Sequence, residues 1–119
     1  QFRDLERPAI ASLYANAEVL VCPSESEGFG LPIIEAMACG IPYVTNMHPV
    51  EGDASFTDKE GYASLPIEAD VFADRIRTLL NDEKKRTALG KAARKKVETY
   101  YTPQVTAGKV LKLYESLLD

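Results

Sequence analysis

Leu5, Ala9, Ile10, Leu13, Tyr14 and Ala17 recur at three- and four-residue spacing, which predicts an opening amphipathic helix with Pro8 in its first turn and an end around Ala15-Asn16. The continuous apolar run Val19-Leu20-Val21-Cys22 predicts a short strand buried on both faces, as in a parallel sheet covered by helices. Pro23 and Ser24 stop it. Gly28 and Gly30 free the backbone around Phe29, and Pro32 has the φ favoured at a first helical position, so a helix starts near Leu31. Ile33, Ile34, Ala36, Met37, Ala38 and Cys39 are apolar or small, which predicts a helix buried nearly all round, with Glu35 as its one charge. Gly40 is the expected C-cap residue, and Ile41–Thr45 the next strand. Strand, helix and strand within about 28 residues make a βαβ unit.

From Asn46 to Glu60 the chain is turn-rich and reads as loop, and a short edge strand is expected around Tyr62-Ala63-Ser64-Leu65. Three helices follow. Val71, Phe72, Ile76, Leu79 and Leu80 form the stripe of the first, which ends at Asn81. Asp82 caps the second, whose stripe is Leu89, Ala93, Val97 and Tyr100. Thr102 then Pro103 begin the third, with Val110, Leu113, Tyr114 and Leu117 as its apolar face. The fold class is α/β, a partial Rossmann-like arrangement with parallel strands and a C-terminal helical tail. Two or three strands do not make a covered parallel sheet. Residues 1–119 are therefore expected to be a single partial domain whose first strands lie upstream of Gln1.

Length and composition agree with one modest core: 119 residues, 45% of them hydrophobic. No apolar run approaches the roughly 18 residues of a membrane span, and the start lacks the order of a signal peptide. A soluble, cytoplasmic protein is the expectation. Two cysteines, Cys22 and Cys39, and a single histidine offer no metal framework, and both cysteines read as small buried hydrophobes.

Charge is uneven: residues 1–70 carry a net −9 and residues 71–119 a net +5. The basic run Lys84-Lys85-Arg86 with Lys91, Arg94, Lys95 and Lys96 lacks interleaved aromatics, so it reads as a solvated helix face and not as a nucleic-acid surface. Peripheral contact with an anionic membrane is the alternative.

The candidate chemistry lies between residues 23 and 44. A loop from the carboxyl end of a strand into a helix is where open α/β sheets bind ligands, and glycine-freed N–H groups at a helix start suit a phosphate. A buried Glu35 would cost several kcal/mol without a partner. Glu27 and Glu35 can face one cleft, and carboxylates accept hydrogen bonds from hydroxyl groups. Phosphate plus hydroxyls suggests a nucleotide sugar. The plainer readings stay open: Glu27 as a solvated loop residue, Glu35 paired with an arginine, Phe29 wedging the loop, His48 as a turn residue, Tyr43 as core and Glu25 facing solvent.

Glu27-Gly-Phe-Gly-Leu-Pro-Ile-Ile-Glu35-Ala-Met-Ala-Cys-Gly-Ile-Pro resembles the Glu-x7-Glu motif of retaining GT-B glycosyltransferases, the group called glycosyltransferases group 1. Leu13-Tyr14-Ala15-Asn16-Ala17-Glu18-Val19, Gly52-Asp53-Ala54 and the leucine-rich basic helices extend the similarity to the second half of the family's C-terminal, donor-binding domain. The resemblance implies a nucleotide-sugar substrate such as a UDP- or GDP-sugar, retention of configuration, and no cofactor or metal. By position, Glu27 would be the catalytic carboxylate on the donor sugar's hydroxyl side. The N–H groups of Phe29 and Gly30, with Gly28 beside them, would meet sugar hydroxyls, and that of Leu31 the diphosphate. Glu35 would accept from the ribose.

The family's arginine and lysine for the diphosphate and its acceptor-binding N-terminal domain would precede Gln1, so this stretch is expected to be inactive by itself. Asn46-Met47-His48-Pro49-Val50-Glu51 departs from the small residues followed by Pro-Glu that are usual there. A non-catalytic Rossmann-like binding or scaffold domain is the alternative. A phosphorylase-like enzyme would need a pyridoxal-binding lysine that has no context here.

Overall fold

A computed structural model of the chain describes residues 6–24, 30–48 and 56–118. Eight elements follow in order: α1 (Arg7–Asn16), β1 (Leu20–Cys22), α2 (Leu31–Ala38), β2 (Tyr43–Thr45), β3 (Gly61–Tyr62), α3 (Ala69–Asn81), α4 (Glu83–Tyr100) and α5 (Pro103–Leu118). The strands form one parallel sheet in the order β1-β2-β3. All three residues of β2 are buried, as a central strand requires. Successive side chains of β2 enter opposite layers. Tyr43 joins Ile33, Ile34, Met37, Phe56 and Ala93 on the α2 and α4 side, whereas Val44 joins Phe72 and Leu79 on the α3 side.

Helix boundaries follow local chemistry. Pro8 and Pro32 sit in the first turns of α1 and α2. The Asp82 carboxylate accepts from the Lys85 N–H at 3.0 Å, and the Thr102 hydroxyl from the Val105 N–H at 3.2 Å, so both predicted caps form. Gly40, at φ +73°, ends α2 in a Schellman motif. In it the Gly40 N–H reaches the Met37 carbonyl and the Ile41 N–H that of Ala36. Beyond it α4 crosses against α2 at Gly90, where an added Cβ would collide with the Gly40 carbonyl.

Several expectations are corrected by packing. Among the described residues β1 is the outer strand of the sheet and Val21 is 40% exposed, where burial on both faces was expected; no residue of α1 is fully buried. Cys39 is exposed and Cys22 only half-buried. Leu80 faces solvent at the end of the α3 stripe, and β3 begins one residue earlier than expected and is shorter. Lys96 is no solvated residue: its side chain is 9% exposed and lies 3.4 Å from the Glu60 carboxylate. Arg86 donates to the Leu79 and Leu80 carbonyls, and Arg94 to that of Ala38. The two arginines therefore close the carboxyl ends of α3 and α2.

The apolar face of α5 forms, and among the described residues nothing buries it: Val110, Leu113, Tyr114 and Leu117 are all exposed. No helix among the described residues is long and apolar enough to cross a membrane.

Candidate donor site

The site is assembled where β1 and β2 end. Thr45 Oγ1 donates to the Cys22 carbonyl at 2.9 Å and accepts from the Met47 N–H at 3.1 Å. Asn46 then clamps Ser24 twice, accepting from its N–H at 2.8 Å and donating to its carbonyl at 2.6 Å. These bonds fasten the two loops that leave the carboxyl ends of adjacent parallel strands, the usual place of ligand entry in open α/β sheets. The clamp was not foreseen, since an asparagine one residue past a strand reads as an ordinary turn former.

Of the predicted site residues, Glu27, Gly28 and Phe29 lie outside the described residues, as do Glu25 and 49–55 of the 46–60 loop. Gly30, Leu31 and Glu35 are described. Gly30 is the N-cap of α2 at φ +74°, ψ +41°, a left-handed conformation that favours glycine. Its carbonyl accepts from Ile33 and Ile34. Gly30 is also hemmed in, because an added Cβ would stand 3.0 Å from Met47 Cε and 3.1 Å from Phe56 Cε2. Leu31 is exposed at the head of the helix, where Pro32 carries no N–H and the Ile33 and Ile34 N–H groups are taken by the Gly30 carbonyl.

Glu35 is the main correction. It is not buried. In an eight-residue helix lying on a sheet, positions 33, 34, 36 and 37 turn inward, which leaves 31, 32 and 35 on the outer side. Among the described residues its partner is Tyr14, which donates its hydroxyl to Glu35 Oε2 at 3.0 Å and lies 3.3 Å from the Pro32 carbonyl. Partial burial, followed by the hydrogen bond and charge of Glu35, pushes the Tyr14 phenol up to about 12. Both residues line a groove of about 520 Å³ between α1 and α2, which Arg7, Ile10, Ala11, Ala38 and Cys39 complete. Sequence spacing had absorbed Tyr14 into the apolar stripe of α1.

The remaining nominated side chains take the plainer roles. His48 is exposed beside the loop, and Tyr43 is fully buried. Among the described residues no cluster of three His, Cys, Asp or Glu side chains is placed to hold a metal.

The family model of glycosyl transferases group 1 matches residues 2–96, from α1 through most of α4. The chain belongs to this family. It is 36% identical over 99 residues to a sulfoquinovosyl transferase of Arabidopsis thaliana, a match that covers 81% of this chain and 19% of that protein.

Two solved structures share the fold. The C-terminal domain of a glycosyl transferase group 1 family protein from Francisella tularensis superposes with TM-score 0.74 at 29% identity, over 87% of this chain and 52% of that one. Sucrose-phosphate synthase from Thermosynechococcus elongatus gives TM-score 0.80 at 30% identity, over 98% of this chain and 29% of that one. The Rossmann-like fold of this group 1 chain is thus that of a GT-B C-terminal domain, and its helical tail is present as expected. The family match stops before α5.

Proposed function

We propose that this group 1 chain is the nucleotide-sugar-binding part of a retaining GT-B glycosyltransferase that moves a sugar from a UDP- or GDP-sugar to an acceptor. The observation that carries the reading is Glu35, a carboxylate on the outer face of α2, five residues beyond the N-cap glycine of a helix that opens at the carboxyl end of β1. An exposed carboxylate held beside a groove accepts hydrogen bonds from a ribose diol, and the head of the same helix favours the negative charge of a diphosphate. Motif position assigns Glu27 the catalytic place on the donor sugar's hydroxyl side, and Gly28, Phe29, Gly30 and Leu31 the backbone contacts to sugar and diphosphate.

The remainder of the sheet, the cations that neutralise the leaving diphosphate and the acceptor-binding N-terminal domain would come from the rest of the enzyme. The free edge and exposed Val21 of β1 are consistent with a sheet that continues there. Without those groups the stretch lacks the main electrostatic stabilisation of the leaving group, so it binds a donor poorly and turns over none. No metal and no organic cofactor enter this proposal.

The test is binding of UDP and GDP to the intact enzyme by titration calorimetry. Replacement Glu35→Ala removes hydrogen bonds to a charged group and is expected to weaken the preferred nucleotide by about 1.5–3 kcal/mol. Unchanged affinity would refute the assignment.

A further inference from the structure

We infer that Tyr14 is a positioning residue for Glu35, its hydroxyl fixing the carboxylate in the groove between α1 and α2 in the orientation that receives the ribose diol. The inference rests on the reading of Glu35 as the ribose ligand. An exposed glutamate samples several rotamers, and ordering it when a ligand arrives lowers affinity. Here that ordering is already in place, because Tyr14 donates to Oε2 at 3.0 Å. A carboxylate offers about four acceptor positions, so one donor leaves room for two vicinal hydroxyls.

The Tyr14 hydroxyl also lies 3.3 Å from the Pro32 carbonyl on the same helix as Glu35, the longer of the two contacts that its one proton can serve. No residue of α1 is fully buried, and Tyr14 and Ile10 are only half-buried against the neighbouring elements. Burial and the neighbouring carboxylate hold the phenol protonated up to about 12, so the hydroxyl remains a donor at any pH used for binding.

A tether that merely fastens α1 to α2 would affect all ligands of the site alike. A positioning bond would matter only where the ribose hydroxyls are read. The experiment is titration calorimetry of the intact protein with UDP and GDP and with their 2′,3′-dideoxy counterparts. Tyr14→Phe, which keeps the ring, is expected to weaken the ribonucleotide about three- to tenfold, the scale of one net hydrogen bond. It should leave the dideoxy nucleotide unchanged and cause no further loss when added to Glu35→Ala.

Equal losses for the two nucleotides, additive losses in the double variant, or no loss in Tyr14→Phe would overturn the inference. A thermal melt of each variant separates misfolding, which would also depress both nucleotides together, from an equal loss at a folded site. If Glu35→Ala leaves the ribonucleotide unchanged, or neither ribonucleotide binds the wild type, the ribose reading itself fails. Loss in Glu35→Ala with none in Tyr14→Phe removes only the positioning role.

Discussion

Glu35 and Glu60 are both carboxylates hydrogen-bonded to a tyrosine, yet they sit in opposite environments. Glu60 is 5% exposed beneath β2. Its Oε2 accepts from the Thr57 hydroxyl at 2.7 Å, the Thr57 N–H at 3.2 Å and the Tyr43 hydroxyl at 3.2 Å. Its Oε1 faces Lys96 at 3.4 Å. Glu35 is exposed and receives the Tyr14 hydroxyl. The difference separates two uses of one functional group. A buried charge must have its acceptor sites filled by the protein, so Glu60 is committed to holding the loop before β3 against β2 and α4. Glu35 retains acceptor capacity in a groove, where a ligand can take it up.

Three experiments bear on that contrast, beginning with the largest effect. Glu60→Ala takes away the acceptor of the Thr57 hydroxyl and N–H together with the carboxylate that faces the buried Lys96, and is expected to destabilise the fold by about 3–5 kcal/mol in denaturant titration. A loss below about 1 kcal/mol would place Glu60 with the surface carboxylates.

Tyr43→Phe removes a hydroxyl whose one proton is shared between the Thr57 carbonyl at 2.7 Å and the Glu60 carboxylate at 3.2 Å, and which accepts from the Thr57 N–H at 2.9 Å. It should cost about 1–3 kcal/mol, since buried partners are left unsatisfied. The same hydroxyl gives the effect a pH signature. Burial first, then the Glu60 charge, raises the Tyr43 pKa well above its ordinary 10. The unfolded chain therefore releases this proton first, so the stabilisation is complete below pH 10 and declines as pH rises beyond it. Thermal melts of Tyr43→Phe between pH 9 and pH 11 should accordingly fall less steeply than those of the wild type.

Glu35→Ala should be the mildest, within about 0.5 kcal/mol of wild-type stability, because it empties no buried site. A large loss of stability there would erase the contrast and return Glu35 to a structural role.

Much of the framework was legible because its causes are local. Pro32, Gly40, Asp82 and Thr102 act on N–H and carbonyl groups within about four residues, so caps and helix limits could be read from spacing. The glycine spacing likewise marked Gly30, which takes the left-handed backbone expected of it. What was misread depends on distant partners. The apolar run of α2 suggested a helix with no outer face, and the buried charge was accordingly assigned to Glu35 when it belongs to Glu60. Gly90 passed unremarked within a basic helix, although its hydrogen side chain permits the contact with Gly40.

Sequence alone thus determined the α/β order of elements and the helix caps, since each depends on neighbours along the chain. Tertiary structure decided which glutamate is buried, that Lys96 turns inward, that Asn46 clamps Ser24, and that Tyr14 reaches Glu35 from 21 positions away. Among the described residues it also leaves the apolar face of α5 exposed. Periodicity shows that a face is apolar, but what that face meets is set by elements far along the chain.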